Sequence, residues 1–134
     1  MEKVILDTSV IVKWFIAEEN SDQALRILQE IKNQKLKLIA PKIIILEVVN
    51  ALFLGNNYPQ EGILKALQDI EGLNPEWVNI GSLSNEVIVI TTIQTKIAAY
   101  DAFFLALAET RKIPLITADK KHHPKKFSKY IQYL

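Results

Sequence analysis

Four carboxylates stand where surface acids rarely do. From Ile43 to Leu54 the only polar residues are Glu47 and Asn50, three apart and on one helical face, so the segment reads as a helix that is apolar all round and largely buried. A carboxylate there is costly unless it is neutralised, paired with a lysine or arginine, or bound to a metal. Asp101 repeats the pattern, since from Ala98 to Ala108 only Tyr100 and Asp101 carry polar groups. Asp7 directly follows the apolar run Val4-Ile5-Leu6, and Asp119 follows Pro114-Leu115-Ile116-Thr117 by one residue. Each has an ordinary explanation by itself: a helix cap for Asp7 and Asp101, a turn for Asp119, a buried ion pair for Glu47.

Together the four suggest one site. Converging carboxylates raise one another's pKa unless a cation sits among them. An all-oxygen set selects Mg²⁺ or Mn²⁺, and such a cluster suits phosphate-ester chemistry. The cysteine count is zero, which excludes a disulfide framework, a thiolate zinc site and a cysteine nucleophile, and fits a reducing compartment. The only histidines, His122 and His123, are adjacent in a lysine-rich segment, without zinc spacing, and are expected in solvent.

The elements that must carry these acids follow from patterning. Val4–Leu6 reads as a buried strand, and Asp7-Thr8-Ser9 as the cap of a short helix through about Ala17. A second helix starts at Asn20 or Ser21 with Ala24, Leu25, Leu28 and Ile31 inward. Leu36–Ala40 is a strand, Pro41 opens a helix to about Leu54, and Gly55-Asn56-Asn57 stops it. Pro59 opens a helix with Ile63, Leu64, Leu67 and Ile70 inward, and Trp77–Ile80 is a strand. Glu86–Thr95 is rich in β-branched residues, which favours strand, but the alternation of strands and helices assigns it helix. Asp101–Lys112 is a helix, Pro114–Thr117 a strand and Tyr130–Tyr133 a last strand. The order β-α-α-β-α-α-β-α-α-β-β predicts a three-layer α/β sandwich around a mostly parallel sheet, where ligands bind beyond the carboxyl ends of strands.

The chain of 134 residues has no repeats or linkers and reads as one domain, residues 1–134, with a core large enough to need no staples. Its apolar share of 49% and charged share of 23% exclude a disordered class, and no segment has the length of a membrane span or signal peptide, so a soluble, cytoplasmic protein is expected. The net charge of +1 hides an asymmetry: residues 120–134 hold five lysines and no acid, leaving eleven bases against fifteen acids elsewhere. Such a tail is either a solvated terminus or a phosphate-binding one.

Four segments in register carry a family resemblance: Val4–Ser9; Pro41 through Glu47-Val48-Val49-Asn50-Ala51-Leu52; Tyr100-Asp101-Ala102-Phe103-Phe104-Leu105-Ala106-Leu107-Ala108-Glu109; and Pro114-Leu115-Ile116-Thr117-Ala118-Asp119-Lys120-Lys121. The sequence resembles PIN-domain ribonucleases over nearly its whole length, and most of all the VapC-type toxins of toxin–antitoxin modules. The β-branched stretch from Val87 to Ile93 departs from the alanine-rich helix usual in relatives. The resemblance implies a PIN-like fold and Mg²⁺- or Mn²⁺-dependent endonuclease cleavage of RNA, with one or two ions (about 3.5–4 Å apart if two) activating water and stabilising the pentacovalent phosphate. It places Asp7 and Asp101 as direct ligands, Asp119 as a direct or water-mediated one, and Glu47 as holder of a water or as base. Thr8, Ser9, Asn50 and Thr117 would orient them, and Lys13, Lys120 and Lys121 would contact RNA phosphates. It also implies an antitoxin encoded alongside and a homodimer built on exposed apolar side chains of the third and fourth helices. The alternative is a catalytically silent PIN-like module that binds RNA or protein. An aspartyl-phosphate enzyme of the haloacid-dehalogenase type would need a second acid where Ser9 stands, and a phospho-receiver domain would need paired acids at the first strand and a central acceptor Asp after a middle strand.

Overall fold

The computed structural model describes all residues from Met1 to Leu134. The elements are β1 (Glu2–Leu6), α1 (Thr8–Ile11), α2 (Ser21–Lys32), β2 (Leu36–Pro41), α3 (Ile44–Phe53), α4 (Gln60–Gly72), β3 (Glu76–Val78), α5 (Asn85–Thr95), α6 (Ala99–Arg111), β4 (Leu115–Thr117) and β5 (Ile131–Tyr133). The sheet order is β3-β2-β1-β4-β5, and every neighbouring pair is parallel. The chain winds outward from β1 to β3, then crosses to the other side of β1 for β4 and β5. That reversal makes the carboxyl ends of β1 and β4 the topological switch point, where open α/β sheets bind ligands. Asp7 and Asp119 lie there.

The core forms where the sheet meets its helices. Ile5, Leu6, Leu38, Ile39 and Leu115 are sealed from solvent, as a parallel sheet covered on both faces requires. In α6 every residue from Ala102 to Ala108 is buried, so this helix is the one enclosed all round. No single helix is long and apolar enough to cross a membrane.

Several elements depart from the sequence-based expectation. The first helix ends at Ile11 and tightens into a 3₁₀ turn, Val12–Trp14, instead of reaching Ala17. Trp14 Nε1 donates to the Ala24 carbonyl at 2.9 Å, which pins the turn against α2 and sends the chain outward after it. Pro41 closes β2 rather than opening α3, paired in register with Val78, and the helix begins at Ile44. That helix is not buried all round: Ile44, Val48 and Leu52 face the core, while Leu46, Phe53 and Leu54 are 65%, 54% and 75% exposed. On α2 and α4, Leu25 and Leu64 also face solvent, and Ala24, Ile31, Ala66 and Ile70 make the buried contacts.

Residues 85–95 are helical despite their composition. Ser84 caps the helix, accepting from the Val87 amide at 3.2 Å. The hydroxyls of Thr92 and Thr95 donate back to the carbonyls of Ile88 and Thr91 at 2.7 Å, so their polar groups are satisfied within the helix. The lysine-rich segment is not a loose terminus: it adds β5 to the sheet edge, buries Ser128 and Ile131, and ties the Leu134 amide to the Thr117 carbonyl at 3.0 Å.

Candidate functional site

β1 delivers Asp7 to the switch point already buried, at 6% exposure. Asp7 occupies the cap position of α1, yet its side chain caps nothing. Its Oδ2 instead accepts from Ser9 Oγ at 2.7 Å and from Thr117 Oγ1 at 2.9 Å, joining the ends of β1 and β4. Two donors on one oxygen leave Oδ1 without a hydroxyl partner, 3.9 Å from His123 Nε2. Thr117 also accepts from the Asp119 amide at 2.9 Å, and Ser9 Oγ from the Ala118 amide at 3.0 Å, so both hydroxyls fix the loop that carries Asp119.

The other acids arrive from helices and that loop. Asp101 lies in the first turn of α6, inside the helix rather than at its cap, which is Ala98. Glu47 projects from the first turn of α3 and accepts from Thr8 Oγ1 through Oε1 at 2.8 Å. No lysine or arginine pairs with it, so the ion-pair explanation of its burial does not hold. Asp119 is held by its own turn: the His122 amide donates to Oδ1 at 3.1 Å, and His122 Nδ1 lies 2.6 Å from Oδ2.

The charges of these acids act on one another. Burial pushes the Glu47 carboxyl up to about 7, with the charges of Asp7 and Asp101 adding to it against the opposing bond from Thr8. Burial likewise raises Asp101, and Asp7 and Asp119 add repulsion while the two histidines oppose it. Burial would also raise Asp119, but hydrogen bonds from the His122 ring and amide, with the charges of both histidines, carry it below the ordinary range. A cleft of about 620 Å³ opens on Asp101, Asp119, Lys121 and His122, and an adjoining one opens on Thr8, Glu47 and Asn50. Tyr100, 52% exposed, lines both.

The tightest donor cluster differs from the expected quartet. Asp7, Asp101 and His123 place one ligand atom each within 4.8 Å of one another, with Glu47 and Asp119 flanking. His123 was expected in solvent; it is fully buried, because the turn Asp119–Pro124 folds inward and Tyr133 Oη clamps the His123 carbonyl at 3.1 Å. Its position four residues after Asp119, beyond a strand's carboxyl end, was the available signal. Among the lysines, Lys13 is committed elsewhere: Nζ lies 3.0 Å from Glu18 Oε1 and 2.7 Å from the Glu19 carbonyl. Lys120 stacks over Tyr133, whereas Lys121 is exposed at the cleft.

Comparison with known proteins agrees with this architecture. Among curated proteins none matches the sequence. Solved structures do: PAE2754 from Pyrobaculum aerophilum superposes with a TM-score of 0.70 at 16% identity, covering 98% of this chain and 83% of its own. VapBC2 from Rickettsia felis, bound to a DNA fragment from its promoter, gives 0.67 at 15% identity with 98% of each chain covered. VapC20 from Mycobacterium tuberculosis, a toxin that cleaves the sarcin–ricin loop, gives 0.66 at 10% identity, covering 93% of this chain and 96% of its own. At such identities the likeness is one of fold. The family itself is shown by the PIN domain model, which matches residues 4–127 and so spans all four acids: the chain belongs to the PIN domain family.

Proposed function

We propose that the protein is a metal-dependent endoribonuclease and the toxin of a type II toxin–antitoxin pair. The observation that carries this reading is the gathering of Asp7, Glu47, Asp101 and Asp119 from separate elements about two adjoining clefts, where burial, with repulsion from neighbouring acids, raises Glu47 and Asp101 and no lysine or arginine pairs with either. The fold shared with VapC20 and VapBC2 supports the toxin assignment.

The residues fit a divalent cation: Asp7 presents a free Oδ1, Asp101 lies beside it, and like charges this close call for a cation between them. A bound Mg²⁺ or Mn²⁺ supplies Lewis-acid charge at the phosphate and a nucleophile from water at neutral pH. Asp7 and Asp101 would hold the cation, and Ser9 and Thr117 turn the Asp7 carboxylate so that one oxygen is bound by hydroxyls and the other is left for the ion. Glu47 has Oε1 engaged by Thr8, so Oε2 is the atom that would accept a proton from an attacking water. Asp119, turned by His122, borders the cleft where Lys121 can meet the RNA backbone.

The same proposal includes a homodimer and an antitoxin partner. Leu46 and Phe53 on α3, Leu54 just after it, and Val89, Ile90 and Ile93 on α5 are exposed apolar side chains that a homodimer would cover, whereas α4 exposes a single leucine. An antitoxin segment would inhibit by filling the acidic cleft. Cleavage of RNA in Mg²⁺ or Mn²⁺, abolished by chelator and by Asp101→Asn, tests the enzyme assignment; cleavage that survives chelation would sink it. Sedimentation at micromolar concentration tests the dimer, and a monomer there counts against it.

A further inference from the structure

His123 is the least explained residue of the molecule. Its ring is fully buried, and neither Nδ1 nor Nε2 has a hydrogen-bond partner. A buried imidazole without partners is destabilising unless something else satisfies it. Nε2 lies 3.9 Å from Asp7 Oδ1 and 3.8 Å from Asp101 Oδ1. These separations are too long for hydrogen bonds. They match two donors sharing one ion, because bonds of about 2.0–2.2 Å set their atoms about 3–4 Å apart. Both carboxylate oxygens that Nε2 faces are the ones no hydroxyl occupies.

The flanking acids do not compete for this place. Glu47 is held by Thr8 and Asp119 by His122, and neither belongs to the compact donor group. The ring cannot easily leave, since its own carbonyl is clamped by Tyr133 and its amide donates to the Asp119 carbonyl at 3.0 Å.

We infer that His123 Nε2 is a third ligand of the metal centre, making an Asp7–Asp101–His123 nitrogen–oxygen site that prefers a transition ion such as Mn²⁺ to Mg²⁺. The inference rests on the metal-dependent reading of this cleft and deepens it. Mg²⁺ takes oxygen donors and gives up its waters reluctantly, whereas affinity for a nitrogen donor rises along the first-row transition ions from Mn²⁺ onward.

Pulsed electron paramagnetic resonance on the full chain loaded with Mn²⁺ decides the matter, with natural-abundance protein against protein carrying ¹⁵N-labelled histidine. A ¹⁴N coupling that becomes ¹⁵N on labelling and persists in His122→Ala is the expected result. His123→Gln should remove the coupling and weaken Mn²⁺ binding by at least about tenfold while changing Mg²⁺ binding much less. The labelling comparison needs no change at the buried position, so it holds even if that variant folds poorly. Mn²⁺ bound without any histidine coupling overturns the role of His123 and leaves the metal-dependent reading standing. A coupling lost in His122→Ala overturns it too, by assigning the wrong ring. Failure of the chain to bind Mn²⁺ at all overturns both readings.

Discussion

Glu47 pays the largest electrostatic penalty in the cleft, and its pH dependence exposes that cost. Its folded pKa of about 7 lies above the ordinary 4.5, so between those values the folded state binds more protons than the unfolded chain. Stability of chelated wild type should therefore fall as pH rises through that window and level off above it, with Asp101 acting in the same direction. In Glu47→Gln the decline should flatten, the melting temperature near neutral pH should equal or exceed wild type, and RNA cleavage should slow by at least about a hundredfold. Melts across the window in chelator check it; a large loss of stability with cleavage retained would make Glu47 structural. Tyr100 gives a complementary test, because an exposed aromatic ring between the two halves of the cleft suits base stacking. Tyr100→Ala should lose about 1–3 kcal/mol of RNA affinity with unchanged ion binding, read by titration of single-stranded RNA. All four acids were legible from residue type and context. His123 was not, because its place beyond a strand's carboxyl end is a weak signal and its burial depends on a turn folding back under Tyr133.

At the scale of elements, the ends of β1 and β4 hold Asp7 and the Asp119 loop, and the first turns of α3 and α6 bring Glu47 and Asp101. Thr117 shows how tightly the two strand ends are joined: fully buried at the end of β4, it donates to Asp7 and accepts from the Asp119 amide. Thr117→Val keeps the shape but removes both bonds, so it should cost about 1–3 kcal/mol of stability and weaken ion binding by about 10–100-fold. Denaturant melts and calorimetry with Mn²⁺ measure the two effects; unchanged ion affinity in this variant would show that Asp7 orients itself without it. The element order and the helical state of residues 85–95 were legible because alternation of strand and helix constrains a parallel sheet more than β-branched propensity constrains one segment. The exposure of α3 was not, since an apolar helix looks alike whether its outer face meets the core or another surface. Pro41 was misplaced for a related reason: a missing amide suits a strand end as well as a helix start.

Across the whole molecule, an acidic centre lies next to a lysine-rich edge, and on the proposed function RNA would cross the second to reach the first. The lysines there are not equivalent. Lys120 and Lys125 lie 5.3 Å and 4.9 Å from the Tyr133 ring centroid, so alanine at either removes packing as well as charge. Lys121 is exposed at the rim of the cleft beside Asp101 and Asp119. Lys13, also named as a phosphate contact on sequence grounds, spends its ammonium on Glu18 and the Glu19 carbonyl. For single-stranded nucleic acid each phosphate contact contributes a log–log salt slope of about −0.7. Lys121→Ala should therefore flatten the slope of RNA affinity against salt by about 0.7, and replacing Lys120, Lys125 and Lys126 as well should flatten it further. Lys13→Ala should leave the slope unchanged while loosening the loop after α1. Measured by titration of catalytically silenced protein over a range of salt, an unchanged slope in the fourfold variant would make the lysine edge structural. An equal change in Lys13→Ala and Lys121→Ala would show that RNA approaches from a side of the cleft other than this edge.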